Sequence, residues 1–183
     1  MIKRCMLSLA LAFCLLATLP APDTRAASGP EIDAEVNETL RSFFREVGAA
    51  RELADKAVAM LVFPNVVKAG FGIGGEYGEG ALRLRGRSTG YYNLVSASVG
   101  FQIGVQARSI ILMFMTQRGL DGFYRSDGWE IGVDGSVALI TLGVGGTIDT
   151  HNIRHPIVGF VFGSRGLMYN LTLEGSKISR IRR

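Results

Sequence analysis

All but two of the chain's 24 glycines, Gly29 and Gly48, fall between Gly70 and Gly175. Glycine weakens a helix or strand interior by roughly 0.5–1 kcal/mol per position relative to alanine. Such a density argues against a helical bundle and calls for a backbone that side chains would obstruct. The chain has 183 residues, 48% hydrophobic and 20% charged, which is too apolar for disorder and long enough for a domain with a sizeable core. The glycines therefore read as part of a packed β structure.

The first 26 residues read as a secretory signal peptide. Lys3 and Arg4 form a positive start, residues 6–19 are an uncharged apolar run, and Thr24-Arg25-Ala26 places small residues at −3 and −1 of a cut. The run is shorter than the roughly 20 residues a membrane-spanning helix needs. Both cysteines, Cys5 and Cys14, lie inside it, so the processed chain has no disulfide, thiol nucleophile or thiolate metal site. Phe13 is bulky where an acylated cysteine wants a small neighbour, which argues against a lipoprotein at Cys14. Loss of Lys3, Arg4, Arg25 and Asp23 lowers the formal charge from +4 to +2 and removes the main support for a nucleic-acid partner. The expected location is the periplasm or cell envelope.

The remainder divides into a helical segment, residues 27–62, and a glycine-rich β body, residues 63–183, within one domain. Ser28 and Glu31 have capping-box spacing with Pro30 in the first turn. Ile32, Val36, Leu40, Phe43, Phe44 and Val47 mark one apolar face of a helix. Gly48 breaks it, and a second helix is predicted over residues 49–62, closed by Phe63-Pro64. From Val66 the period changes to two, and about seven short strands follow, with residues 109–115 buried on both faces and a short helix or turn at residues 119–124. The expected fold class is α+β: N-terminal amphipathic helices packed on a glycine-rich, strongly twisted antiparallel sheet or barrel-like body.

Catalytic motifs are weak. Gly70-Phe71-Gly72-Ile73-Gly74-Gly75 satisfies GxGxxG, but a dinucleotide site needs a helix to follow, and residues 76–80 read as a turn. His151 and His155 are four apart, yet Asn152 replaces the glutamate of a zincin and Pro156 disfavours helix at His155. Glu76 and Glu79 have no recognisable partner in their glycine-rich turn, and no serine has a nucleophile-elbow context. The chain reads as a non-enzyme with no cofactor and no metal.

Residues 62–75, VFPNVVKAGFGIGG, followed by Gly78-Glu79-Gly80, resemble the signature of the SYLF lipid-binding domain family, which is also named after a yeast actin-binding protein. Gly90-Tyr91-Tyr92-Asn93, residues 98–106 and Gly175-Ser176-Lys177-Ile178 extend the similarity from about Leu40 to the C-terminus. The resemblance implies phospholipid binding, with actin binding in fungal members. Bacterial members are mostly exported, so actin is not expected as a partner there. The acidic polar face of residues 32–47 departs from what an anionic membrane favours.

Arg83, Arg85 and Arg87 alternate, so one extended strand would project all three guanidiniums from one face, in the planar fork that suits phosphate. Lys68, Tyr91 and Tyr92 complete the candidate headgroup site, and Lys177, Arg180, Arg182 and Arg183 extend it if the last strand lies nearby. A solvated edge strand kept charged against aggregation is the competing reading of the arginines. Gly70, Gly72, Gly74, Gly75, Gly78 and Gly80 are assigned to the fold, where they permit bulges and close backbone approach. The function these residues support is an exported, non-catalytic module contacting anionic phospholipid headgroups. A structural or protein-interaction module of the envelope is the alternative.

Overall fold

The computed structural model describes residues 26–141, 155–166 and 175–183. The leader segment, His151 and the strand expected over residues 167–173 lie outside them. Helix α1 (Gly29–Glu46) and the short α2 (Ala50–Lys56) precede two very long strands, β1 (Ala59–Leu84) and β2 (Arg87–Phe114). Helix α3 (Gln117–Arg125), β3 (Trp129–Glu130), β4 (Ala138–Thr141), β5 (Ile157–Gly166) and β6 (Lys177–Ile181) follow. Among the described residues the strands form one sheet in the order β3-β6-β2-β5-β4, with β1 paired to β2, curled into a half-barrel. The α+β class with helices on a twisted sheet holds. The sheet is mixed, since β4 runs parallel to β5 while the other ladders are antiparallel.

Helix α1 starts as its sequence dictates. The Ser28 backbone N–H donates to the Glu31 carboxylate at 2.7 Å and the Ser28 hydroxyl at 2.9 Å, with Pro30 in the first turn. Ile32, Val36 and Phe43 are buried, and the Phe43 ring lies 5.0 Å from Phe160 and 5.3 Å from Phe162. The second helix is shorter than expected. It ends at Lys56, and Ala59 already pairs with Phe114. The apolar run through Val62 and Phe63 belongs to a strand buried on both faces, whose composition a helix segment shares. Pro64 sits in that strand at a bulge between Phe63 and Val66, where its missing N–H leaves no gap in the ladder.

Alternation along β2 builds two cores. Ile110, Leu112 and Phe114 point into the half-barrel with Leu61, Phe63, Phe123 and Trp129. Ile111 and Met113 point outward beneath α1, with Val62, Val158 and Phe160.

The glycines explain the curl. Straight strand rises about 3.3 Å per residue, which would put residues 12–18 apart some 40–60 Å from each other. Yet a Cβ on Gly78 would strike the Val66 side chain and Asn65 carbonyl, and one on Gly80 would strike the Val62 carbonyl and Phe63 ring. β1 therefore folds back on itself. The bend lies near Gly70, where a Cβ would come within 2.7 Å of the Gly74 Cα. Glu76–Gly80, expected as a turn, is the strand returning from this bend.

Candidate functional site

The three arginines do not share a face. Leu84 pairs with Arg87, and Arg85 and Gly86 form a two-residue turn with φ of 50° and 79°. Two positive φ values at the centre of a hairpin define a type I′ turn, which reverses the chain between Arg83 and Arg87. Arg83 is buried against α1, where its guanidinium donates to the Asn37 side chain. Arg85 and Arg87 are exposed at the turn.

Lys68 and Tyr92 also lie inside. Tyr92 is buried with its ring 5.0 Å from Phe123, and burial pushes its phenol pKa up. Lys68 belongs to a buried charge centre between the folded-back arms of β1. Its Nζ is 3.3 Å from Glu76 Oε1, while Arg108 Nη2 donates to both Glu76 oxygens at 2.9 and 2.8 Å. The Lys68, Glu76 and Arg108 side chains are all at most 4% exposed. Two cations share one carboxylate there, and among the described residues Arg108 Nε and Nη1 have no hydrogen-bond partner. Glu76 and Arg108 escape a local reading because they are 32 residues apart and meet only through the curl.

Tyr91 is half-buried and ties the sheet to α1. Its hydroxyl donates to Asp33 at 3.1 Å, and a Cβ on Gly29 would come within 2.9 Å of that hydroxyl. Burial first, and the Asp33 hydrogen bond second, raise its pKa. Ser88 donates to the same carboxylate.

The C-terminal strand lies where the basic surface needs it. β6 pairs with β2, with Ile181 opposite Tyr91 and Arg180 opposite Tyr92. A groove of about 630 Å³ runs between them, lined by Ser88, Thr89, Tyr91, Arg180, Arg182 and Arg183. Arg180 and Arg182 are exposed, and the turn bearing Arg85 and Arg87 opens one end of the same hairpin. Arg183 is engaged, its guanidinium donating to Glu79, with Nε 3.2 Å from Oε2. Tyr77 also donates its hydroxyl to Glu79, and that bond is the main reason its pKa is raised. The exposed guanidiniums present several N–H donors, a chemistry suited to oxyanions, while the Ser88 and Tyr91 hydroxyls donate to Asp33 and the Thr89 hydroxyl to the Leu82 carbonyl.

Among the described residues no cluster of three or more His, Cys, Asp or Glu could hold a metal, and no helix is long and apolar enough to cross a membrane. GxGxxG lies within continuous strand, with no helix following it.

A curled sheet roofed by an amphipathic helix, with a donor-lined groove along its C-terminal strand, has the form of a binding domain. Residues 95–182 match the model of the Ysc84 family, described as Las17-binding protein actin regulator, which is the SYLF family that the sequence motifs resemble. The family is one of binding domains associated with lipid and with actin regulation. The matched span holds β6 and most of β2, while the motif at residues 62–80 lies ahead of it. No curated protein is matched by the chain.

Proposed function

We propose that the chain is an exported, non-catalytic phospholipid-binding module of the cell envelope, and that anionic headgroups meet it at the arginine groove. The observation that carries this reading is the convergence of Arg180 and Arg182 with Ser88, Thr89 and Tyr91 on one groove, beside the turn bearing Arg85 and Arg87. Each exposed guanidinium offers a planar fork to phosphate oxygens. A basic residue near an anionic bilayer contributes about 1 kcal/mol, so four of them support reversible adsorption. Lys68, Arg83 and Tyr92 act behind this surface, holding the folded-back strand, α1 and the inner core. The leader-like residues 1–26 support the export part of this reading.

The test is flotation of the full chain with vesicles of phosphatidylglycerol in phosphatidylcholine. Binding should weaken at least tenfold for Arg180→Glu/Arg182→Glu, less for Arg85→Glu/Arg87→Glu, and should fall with salt. Equal binding to pure phosphatidylcholine, insensitive to salt and to both variants, would sink the proposal.

A further inference from the structure

A second groove adjoins the arginine groove and differs from it in chemistry. It has a volume of about 810 Å³ and lies between the start of α1 and the outer face of the hairpin, lined by Ala27, Ile32, Val67, Ala69, Tyr77 and Val95. Val67, Tyr77 and Val95 are exposed, and Ile73 and Val105, exposed to 73% and 63%, lie beyond them on the same hairpin. Exposed apolar surface of this extent is unusual for a soluble domain and marks a contact site.

We infer that one acyl chain of the bound phospholipid occupies this apolar groove while its phosphate occupies the arginine groove. The inference rests on the headgroup reading above and adds the position and orientation of the tail. Three observations carry it. The grooves adjoin: Glu79 lines the apolar one, Arg183 lines the basic one, and these two residues form an ion pair. The spacing fits a single molecule. Tyr77 pairs with Val95, Glu79 with Asn93 and Ala81 with Tyr91, so the apolar and basic ends are four strand residues apart, about 13 Å. Charge fixes the orientation. Among the described residues, no lysine or arginine lines the apolar groove, while Glu35, Glu76 and Glu79 do. Glu76 and Glu79 are already paired with cations, so the lining offers a phosphate no free cationic fork and suits a neutral tail. At the junction, Tyr77 and Arg183 both donate to Glu79, and a lipid phosphate can draw the Arg183 fork away from it.

The experiment is calorimetric titration of the full chain with three probes: lysophosphatidic acid below its micellar concentration, inorganic phosphate and a neutral monoacylglycerol. Lysophosphatidic acid should bind at least tenfold more tightly than either of the others. Val95→Glu and Val67→Glu, both at exposed positions, should weaken lysophosphatidic acid at least tenfold and leave the affinity for inorganic phosphate and the thermal melt unchanged. Arg180→Glu/Arg182→Glu should weaken both lysophosphatidic acid and flotation. Wild-type affinity for lysophosphatidic acid in the two valine variants, or equal affinity for it and inorganic phosphate, would overturn the tail placement and leave the headgroup reading standing. A wild-type chain that binds neither lysophosphatidic acid nor anionic vesicles would overturn both.

Discussion

Replacing Gly80 by alanine tests the folded-back strand directly. The added methyl carbon would overlap the Val62 carbonyl oxygen and sit 2.8 Å from Phe63 Cδ1 and 2.9 Å from the Val62 carbonyl carbon. Two of these three obstacles are backbone, inside a strand bonded to β2 from Ala59 onward. They cannot rotate away as a side chain could, so the strain falls at the upper end of the overpacking range, about 3 kcal/mol. For a domain of this size that corresponds to a loss of about 6–12 °C in Tm. Gly75→Ala provides the internal comparison, because its nearest neighbour is the Ser96 carbonyl at an ordinary 3.6 Å. Gly48→Ala provides the opposite sign. Nothing lies within 4 Å and its φ is not positive, so reduced unfolded-state entropy should raise stability by about 0.4–1 kcal/mol. Urea unfolding monitored by Trp129 fluorescence, with calorimetric Tm values, reads all three. A Gly80→Ala stability within about 0.5 kcal/mol of wild type would show that the two arms of β1 do not touch.

Two further outcomes follow from the charged groups. Glu76→Gln leaves Lys68 and Arg108 buried without a counter-charge and should cost about 3–5 kcal/mol in urea unfolding, whereas Lys68→Met, which keeps the Arg108–Glu76 pair, should cost less than half of that. Glu31 has its pKa held below the usual carboxylate value by the Ser28 backbone N–H first and its hydroxyl second. A depressed folded-state pKa stabilises above the ordinary carboxylate range, and that stability is lost as pH falls through the depressed value. Thermal melts from pH 7 to 3 should therefore show a smaller acid-side loss for Glu31→Gln than for wild type; identical slopes would remove the cap from the account.

What could be read from the sequence was local. Ser28, Pro30 and Glu31 announce a helix start because every partner lies within one turn. The α1 face is legible because Ile32, Val36 and Phe43 repeat at helical spacing. Residues 57–63 misled because a continuous apolar run satisfies a buried strand and a buried helix alike, and Pro64 marked a bulge where it was expected to close a helix. Gly78 and Gly80 read as part of a turn because a turn and a sharply curled strand favour glycine alike. What distinguishes them is the carbonyl of Val62 lying over Gly80, which no local pattern encodes. The arginine triplet misled for a related reason. Alternation assigns a face only while the chain stays extended, and Arg85-Gly86 reverses it. Arg180 and Arg182 were included on the condition that the last strand came close, and the pairing of Ile181 with Tyr91 meets that condition.

The β1–β2 ladder also bears on how the chain reaches its fold. Its first pair, Leu84 with Arg87, closes a loop of two residues, and its last, Ala59 with Phe114, encloses 54. Between them the ladder grows by small steps, and the entropy of loop closure rises only with the logarithm of length. A hairpin begun at Arg85-Gly86 can therefore zip toward Gly70 and Gly104 before any distant segment is recruited. The costly event comes afterwards, when the returning arm must lie across Val62–Val66 and bring Glu76 to Arg108. That ordering makes the turn the kinetic origin of the domain and the buried charge centre a late event. Lengthening the Arg85-Gly86 turn should slow folding, and Glu76→Gln should act mainly on unfolding.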